Sequence, residues 1–67
     1  MIRLTVNGET MRLSRPNNLK QLIETLRLGE KRIAVELNRE IIPRSRHEAT
    51  RIREGDQIEI VRAIGGG

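Results

Sequence analysis

Apolar and polar residues alternate along most of this chain and switch to a helical period in one stretch. Ile2, Leu4 and Val6 alternate with Arg3 and Thr5, and Met11 and Leu13 alternate with Thr10, Arg12 and Ser14. That is the period of strands with one buried face. Asn7-Gly8 between them is a strong hairpin signal, because a type I′ turn needs positive φ at both central residues. A plain turn is the role expected of the pair. Asn18 followed by Gln21 has the spacing of a capping box. Leu19, Leu22, Ile23 and Leu26 then recur at i, i+3, i+4 and i+7, one apolar stripe of a helix of about ten residues. Gly29 is placed to end that helix in the left-handed conformation.

Alternation returns in Ile33, Val35 and Leu37, with Ala34 and Glu36 outward. Asn38-Arg39 makes a tight turn into Glu40-Ile41-Ile42. Pro43 closes this short strand, which suits a sheet edge where no ladder donor is missed. Residues 44–53 carry no regular period, and Ala49 and Ile52 are the expected inward anchors. Glu54-Gly55-Asp56 reads as a turn into a last strand over residues 57–63, in which Ile58 and Ile60 alternate with Gln57 and Glu59.

A helix this short does not hold in water alone and must lie on the sheet. The expected fold class is therefore a two-layer α+β domain, one sheet with one helix on one face. A two-stranded hairpin is marginal by itself, so the last strand is expected in the middle of the sheet, pairing with the first hairpin. The domain is expected to occupy residues 1–63, with residues 64–67 as a flexible glycine tail.

Composition narrows the chemistry. The chain has 67 residues, no cysteine and no aromatic residue, so disulfides, thiolate metal sites and thiol nucleophiles are excluded. The core must be aliphatic. Thirteen Lys and Arg stand against nine Asp and Glu, a formal net charge of +4. A charge-rich solvated surface accounts for that excess, and an acidic partner is the sharper alternative. Single-stranded nucleic acid is disfavoured, because its binding usually adds stacking on aromatic side chains. The first six residues alternate rather than forming an apolar run, so no signal peptide is expected. No stretch has the length of a membrane span. A cytoplasmic protein without membrane contact is the expectation.

His47 is the only histidine, and between Arg46 and Glu48 it reads as a surface residue. Ser14 and Ser45 have no evident orienting partner, no metal-ligand spacing is present, and no Gly-rich loop joins a strand to the helix to cradle phosphate. Catalysis by this chain alone is not expected. What remains is the end, Ile64-Gly65-Gly66-Gly67, running on from the last strand without a polar linker. Glycines lack Cβ and pass through a channel too narrow for other residues. Four extended residues reach about 13 Å at roughly 3.3 Å each. A carboxylate at Gly67 could then be delivered to a partner's active site, activated there as an acyl-adenylate and attacked by a sulfur donor, a thiol or an amine. With no cysteine, any carried sulfur must sit on the terminus itself. Val61 and Ala63 fall on the face opposite Ile58 and Ile60, and with Ile64 they are candidate partner contacts.

Taken together, Val6-Asn7-Gly8, Leu22-Ile23, Ala34-Val35-Glu36-Leu37-Asn38, Ile42-Pro43-Arg44, the run from Glu54 to Ile60 and the terminal Gly66-Gly67 resemble the ThiS family. These are small sulfur carriers of thiamine thiazole biosynthesis. The resemblance covers nearly the whole chain. It implies a ubiquitin-like β-grasp fold, a mixed sheet of about five strands with one helix. It also implies that an E1-like adenylyltransferase uses ATP to adenylate Gly67 and that a sulfur donor protein converts it to a thiocarboxylate. Thiazole synthase then takes the sulfur. Gly67 would hold the adenylate and the sulfur, Gly65 and Gly66 would give access, and no cofactor would be bound by the chain. Related molybdopterin-synthase small subunits often carry prolines before the glycines, where Ala63-Ile64 stands here. A molybdopterin-synthase-like sulfur carrier, a ubiquitin-like protein modifier and a basic RNA-binding β-grasp module, like the TGS domains, remain as alternatives.

Overall fold

A computed structural model describes residues 1–14, 18–28 and 32–62. Its elements are β1 (Ile2–Val6), β2 (Glu9–Leu13), α1 (Leu19–Thr25), β3 (Ile33–Leu37), β4 (Glu40–Ile42), a 3₁₀ turn (Arg44–Arg46) and β5 (Gln57–Arg62). The five strands form one sheet in the order β2-β1-β5-β3-β4. β1 and β5 run parallel, and the other neighbours are antiparallel. The last strand is central, as expected from the marginal stability of a lone hairpin.

Pairing register follows the alternation. Leu4, Val35 and Ile58 point to the helix side and are almost wholly buried, joined by Leu19 and Leu22 from α1, Ile52 from the following loop, and Leu13 and Ile23. Ile42, Val35 and Ile60 lie directly across from one another on β4, β3 and β5, so one apolar row crosses three strands. Both tight turns take the conformation their asparagines favour, with φ of 51° at Asn7 and 83° at Gly8, then 52° at Asn38 and 70° at Arg39.

The helix is shorter than its apolar stripe implies. At its amino end the N–H groups of Leu19, Lys20 and Gln21, which have no i−4 partner within the helix, are all satisfied. Leu19 N donates to Thr50 O (2.8 Å) and Lys20 N to His47 O (3.3 Å), while Gln21 N reaches the Asn18 side chain (2.8 Å) and Leu22 N the Asn18 carbonyl (3.2 Å). The expected Asn18 cap is present. At the other end Leu26 caps the helix and Arg27 turns left-handed at φ 60°. Arg27 N donates to Glu24 O and Leu28 N to Ile23 O, both at 3.0 Å. This is a Schellman closure, with Leu28 packed on the core cluster beside Ile23. The left-handed position falls on Arg27; Gly29, expected in that role, lies outside the described residues.

Two further expectations are corrected in residues 44–53. Ile52 is buried as expected, but Ala49 is exposed. His47 is the residue that turns inward, 7% exposed, with Nε2 2.9 Å from the Ile42 carbonyl oxygen. The ring ties the loop to edge strand β4, while the backbone carbonyl of the same residue serves the first turn of α1. A surface reading of His47 rested on its charged neighbours, which do stay exposed. The 3₁₀ turn rotates the residue after Arg46 toward the core.

Candidate functional site

β5 is held on both sides from its entry as far as Ile60. Its inward residues Ile58 and Ile60 pack in the core; Gln57, Glu59 and Val61 face outward and are exposed. At the entry to the strand, Asn38 Oδ1 accepts from Gln57 N (2.9 Å) and Asn38 Nδ2 donates to Asp56 Oδ1 (3.1 Å). Asp56 Oδ2 in turn accepts from Arg53 N (2.7 Å), and Glu54 Oε1 accepts from Arg3 N (2.9 Å). The Glu54-Gly55-Asp56 turn is thereby fastened to β1 and β3 before the strand begins. At the far end, Asn7 Oδ1 accepts from Ile60 N (2.8 Å), and Asn7 Nδ2 donates to Ile60 O (3.2 Å).

The last described rungs pair Val61 with Ala34 and Arg62 with Ile33. Beyond Arg62, Ala63, Ile64 and the glycines Gly65, Gly66 and Gly67 lie outside the described residues. Of the expected site residues the structure therefore places Val61. It is 57% exposed on the open face of the sheet, across from the exposed Ala34. Ile41, 69% exposed, opposes Glu36 on the same face, and Glu36 opposes Glu59. Arg3 and Arg12 oppose each other on the β1–β2 side. The open face thus has apolar positions near the outgoing end of β5, next to an acidic pair and away from a basic pair.

Other chemistry is sparse. Among the described residues no group of three or more His, Cys, Asp or Glu could hold a metal, and no helix is long and apolar enough to cross a membrane. His47 lines a concavity with Lys20, Ile23, Glu24, Arg44 and Glu48. The Lys20–Glu48 ion pair there (3.3 Å) has both side chains largely exposed, so it adds little to stability. Sequence reasoning missed the two asparagine side chains as contacts to β5. Asn7 and Ile60 are 53 residues apart, and nothing local in Asn-Gly announces a partner that distant.

A central strand flanked by parallel and antiparallel neighbours, with one helix across one face, defines the ubiquitin-like β-grasp class. The crystal structure of the thiamine biosynthesis protein ThiS from Geobacter metallireducens superposes with a TM-score of 0.86 at 32% identity, covering 98% of this chain and 100% of that one. The ThiS family model matches residues 4–67, and the chain belongs to that family, the sulfur carriers of thiamine biosynthesis. The sulfur carrier protein ThiS of Bacillus subtilis is 32% identical over 65 residues, 96% of this chain and 98% of that protein. A thiazole synthase of Paramagnetospirillum magneticum is 36% identical over 66 residues. This chain spans 98% of its own length in that match but 20% of the thiazole synthase.

Proposed function

We propose that this chain carries sulfur as a thiocarboxylate on Gly67 and gives it up during formation of the thiamine thiazole. The observation that carries the reading is the setting of β5. It is the central strand, fixed by both neighbours and by two asparagine side chains, and it leads into the last five residues. In this reading residues 1–63 form the presenting domain and residues 64–67 a flexible tail. Gly65 and Gly66 keep it slim enough for a narrow channel, and Gly67 supplies the carboxylate.

The chain provides the acyl group, and its partners provide catalysis. A Gly67 carboxylate oxygen attacks the α-phosphorus of ATP in an E1-like adenylyltransferase; a P–O bond forms and pyrophosphate leaves. Sulfur then attacks the acyl carbon, and AMP leaves with one of the original carboxylate oxygens. When the sulfur arrives as hydrosulfide, the exchange needs no oxidant or reductant. In the cell a sulfur donor protein would deliver it. Thiazole synthase is the proposed acceptor, supported by the likeness of this chain to part of a thiazole synthase. Val61, Ala63 and Ile64 would contact the adenylating partner, which binds the ATP. The cytoplasm is the proposed place of reaction.

Incubation with an E1-like adenylyltransferase, Mg·ATP and sulfide should raise the intact mass by the exchange of one oxygen for sulfur. Removal of Gly67 should abolish the gain and leave the melting temperature unchanged. A competent enzyme that modifies the Bacillus subtilis relative but leaves this chain untouched would overturn the reading. Adducts on lysines in cell extract would point instead to a protein modifier.

A further inference from the structure

We infer that Asn7 is a positioning residue for the delivery of Gly67, an inference that rests on the sulfur-carrier reading. The hairpin turn is its visible role, and its side chain does something separate. Up to Ile58, β5 pairs with the β1 backbone in ordinary parallel fashion: Thr5 N donates to Asp56 O and Asn7 N to Ile58 O, both at 2.9 Å. At Asn7 the backbone goes left-handed, φ 51°, and turns into β2. Its own peptide groups can no longer continue the ladder. The side-chain amide takes the next rung, with Oδ1 accepting the Ile60 N–H and Nδ2 donating to the Ile60 carbonyl. A carboxamide offers one donor and one acceptor in a plane, so it stands in for a peptide group.

Among the described residues this rung is the last one on that side. Peptide groups alternate along a strand, so Arg62 is the next residue whose N–H and C=O face toward β1. Beyond Ile60 the described pairing of β5 is with β3 alone, Val61 with Ala34 and Arg62 with Ile33. Asn7 therefore sets the rung at which the strand becomes one-sided, seven residues before Gly67. Without that rung more of the chain leading to Gly67 would have to be ordered when it enters a partner's site, at a cost in conformational entropy, and a misplacement of about 1 Å at a reacting group can cost a hundredfold in rate. Asn38 makes the comparable contact at Gln57, but at the entry to the strand, where the register is set and not the exit.

Asn7→Gly separates the two roles, because glycine keeps a Gly-Gly turn at positive φ and removes the amide. With the full chain and an E1-like adenylyltransferase that turns over the wild type, ATP–pyrophosphate exchange should show kcat down about tenfold. KM for the carrier should be little changed, since the docking face is untouched. Amide hydrogen exchange at Ile60 should quicken by about tenfold, as expected for a lost backbone partner. Asn7→Asp keeps the turn and the acceptor but loses the donor, and should fall between the two. Unchanged exchange at Ile60 in Asn7→Gly would overturn the clamp. Faster exchange with wild-type kcat would make the clamp structural only and would also overturn the proposal. Failure of the wild type itself to turn over would sink the sulfur-carrier reading and the delivery role together, while the exchange data still report on the clamp.

Discussion

Ile58 and Val61 stand three residues apart on the same central strand and live in different worlds. Ile58 is 1% exposed and touches the helix-covered core; Val61 is 57% exposed on the bare side of the sheet. Both are β-branched and both suit a strand, so propensity does not separate them. The pleat does, since successive side chains alternate between faces. On the covered side the chain spends nearly all its large aliphatic residues. On the open side Val61, Ala34 and Ile41 are the apolar exceptions among Glu36, Glu59, Arg3 and Arg12. Scattered exposed apolar residues need no explanation by themselves. Val61 and Ala34 are paired where β5 nears the end of its described length, while Ile41 lies on the edge strand in the Glu36–Glu59 row, and the place of Val61 suits the contact role proposed for it.

The largest effect should come from the covered face. Ile58→Ala removes a fully buried side chain from the centre of the sheet and should destabilise the fold by about 2–4 kcal/mol. In a chain of 67 residues that is a large share of total stability. Urea unfolding would show the midpoint fall with an unchanged slope. A cost below about 1 kcal/mol would mean that the core at this point is less tightly packed than the burial of Ile58, Val35 and Leu4 requires.

Val61→Asp should behave in the opposite way. The site is exposed, so folding stability should move by about 0.5 kcal/mol or less. Affinity for the adenylating partner should drop about tenfold, because a charge would be brought against an apolar contact beside Glu59. Equal losses in folding and binding would erase the proposed division of labour between the two faces. Titration of both proteins against the same partner, with urea melts in parallel, makes the comparison directly.

Most of the sheet was legible in the sequence because alternation and turn chemistry are local signals that agree. Asn7-Gly8 marks one hairpin, Asn38-Arg39 the other, and the apolar face of each strand reads off at period two. The central place of β5 followed from a further argument, that a lone hairpin is unstable. What stayed hidden depends on contacts distant in sequence. Asn7 and Asn38 look like turn residues, and only the fold reveals their amides on β5. His47 sits between charged residues, and its burial is set by a 3₁₀ turn and by the Ile42 carbonyl that it meets. Ala49 has the right chemistry for an anchor and the wrong orientation. Gly65, Gly66 and Gly67 were legible as a stretch without side chains, and the role proposed for them rests on chemistry.

The smallest effect tests the layer that covers one face without touching the other. Arg27 holds the left-handed position that closes α1, at φ 60°, a conformation that costs a side chain with a Cβ and costs glycine nothing. Arg27→Gly should therefore stabilise the fold by about 0.5–1 kcal/mol, less whatever the glycine adds to the freedom of the unfolded chain. The Schellman bonds to Glu24 and Ile23 come from the backbone and would persist, keeping Leu28 against the core. Arg27 is exposed and lies after the helix, so the open face should not notice the change. Thermal melts should rise by a few degrees, with binding to the adenylating partner as in the wild type. A loss of stability would show that the guanidinium makes a contact worth more than the relief of the backbone. Altered binding would place Arg27 in the docking surface and extend that surface past the edge of the open sheet.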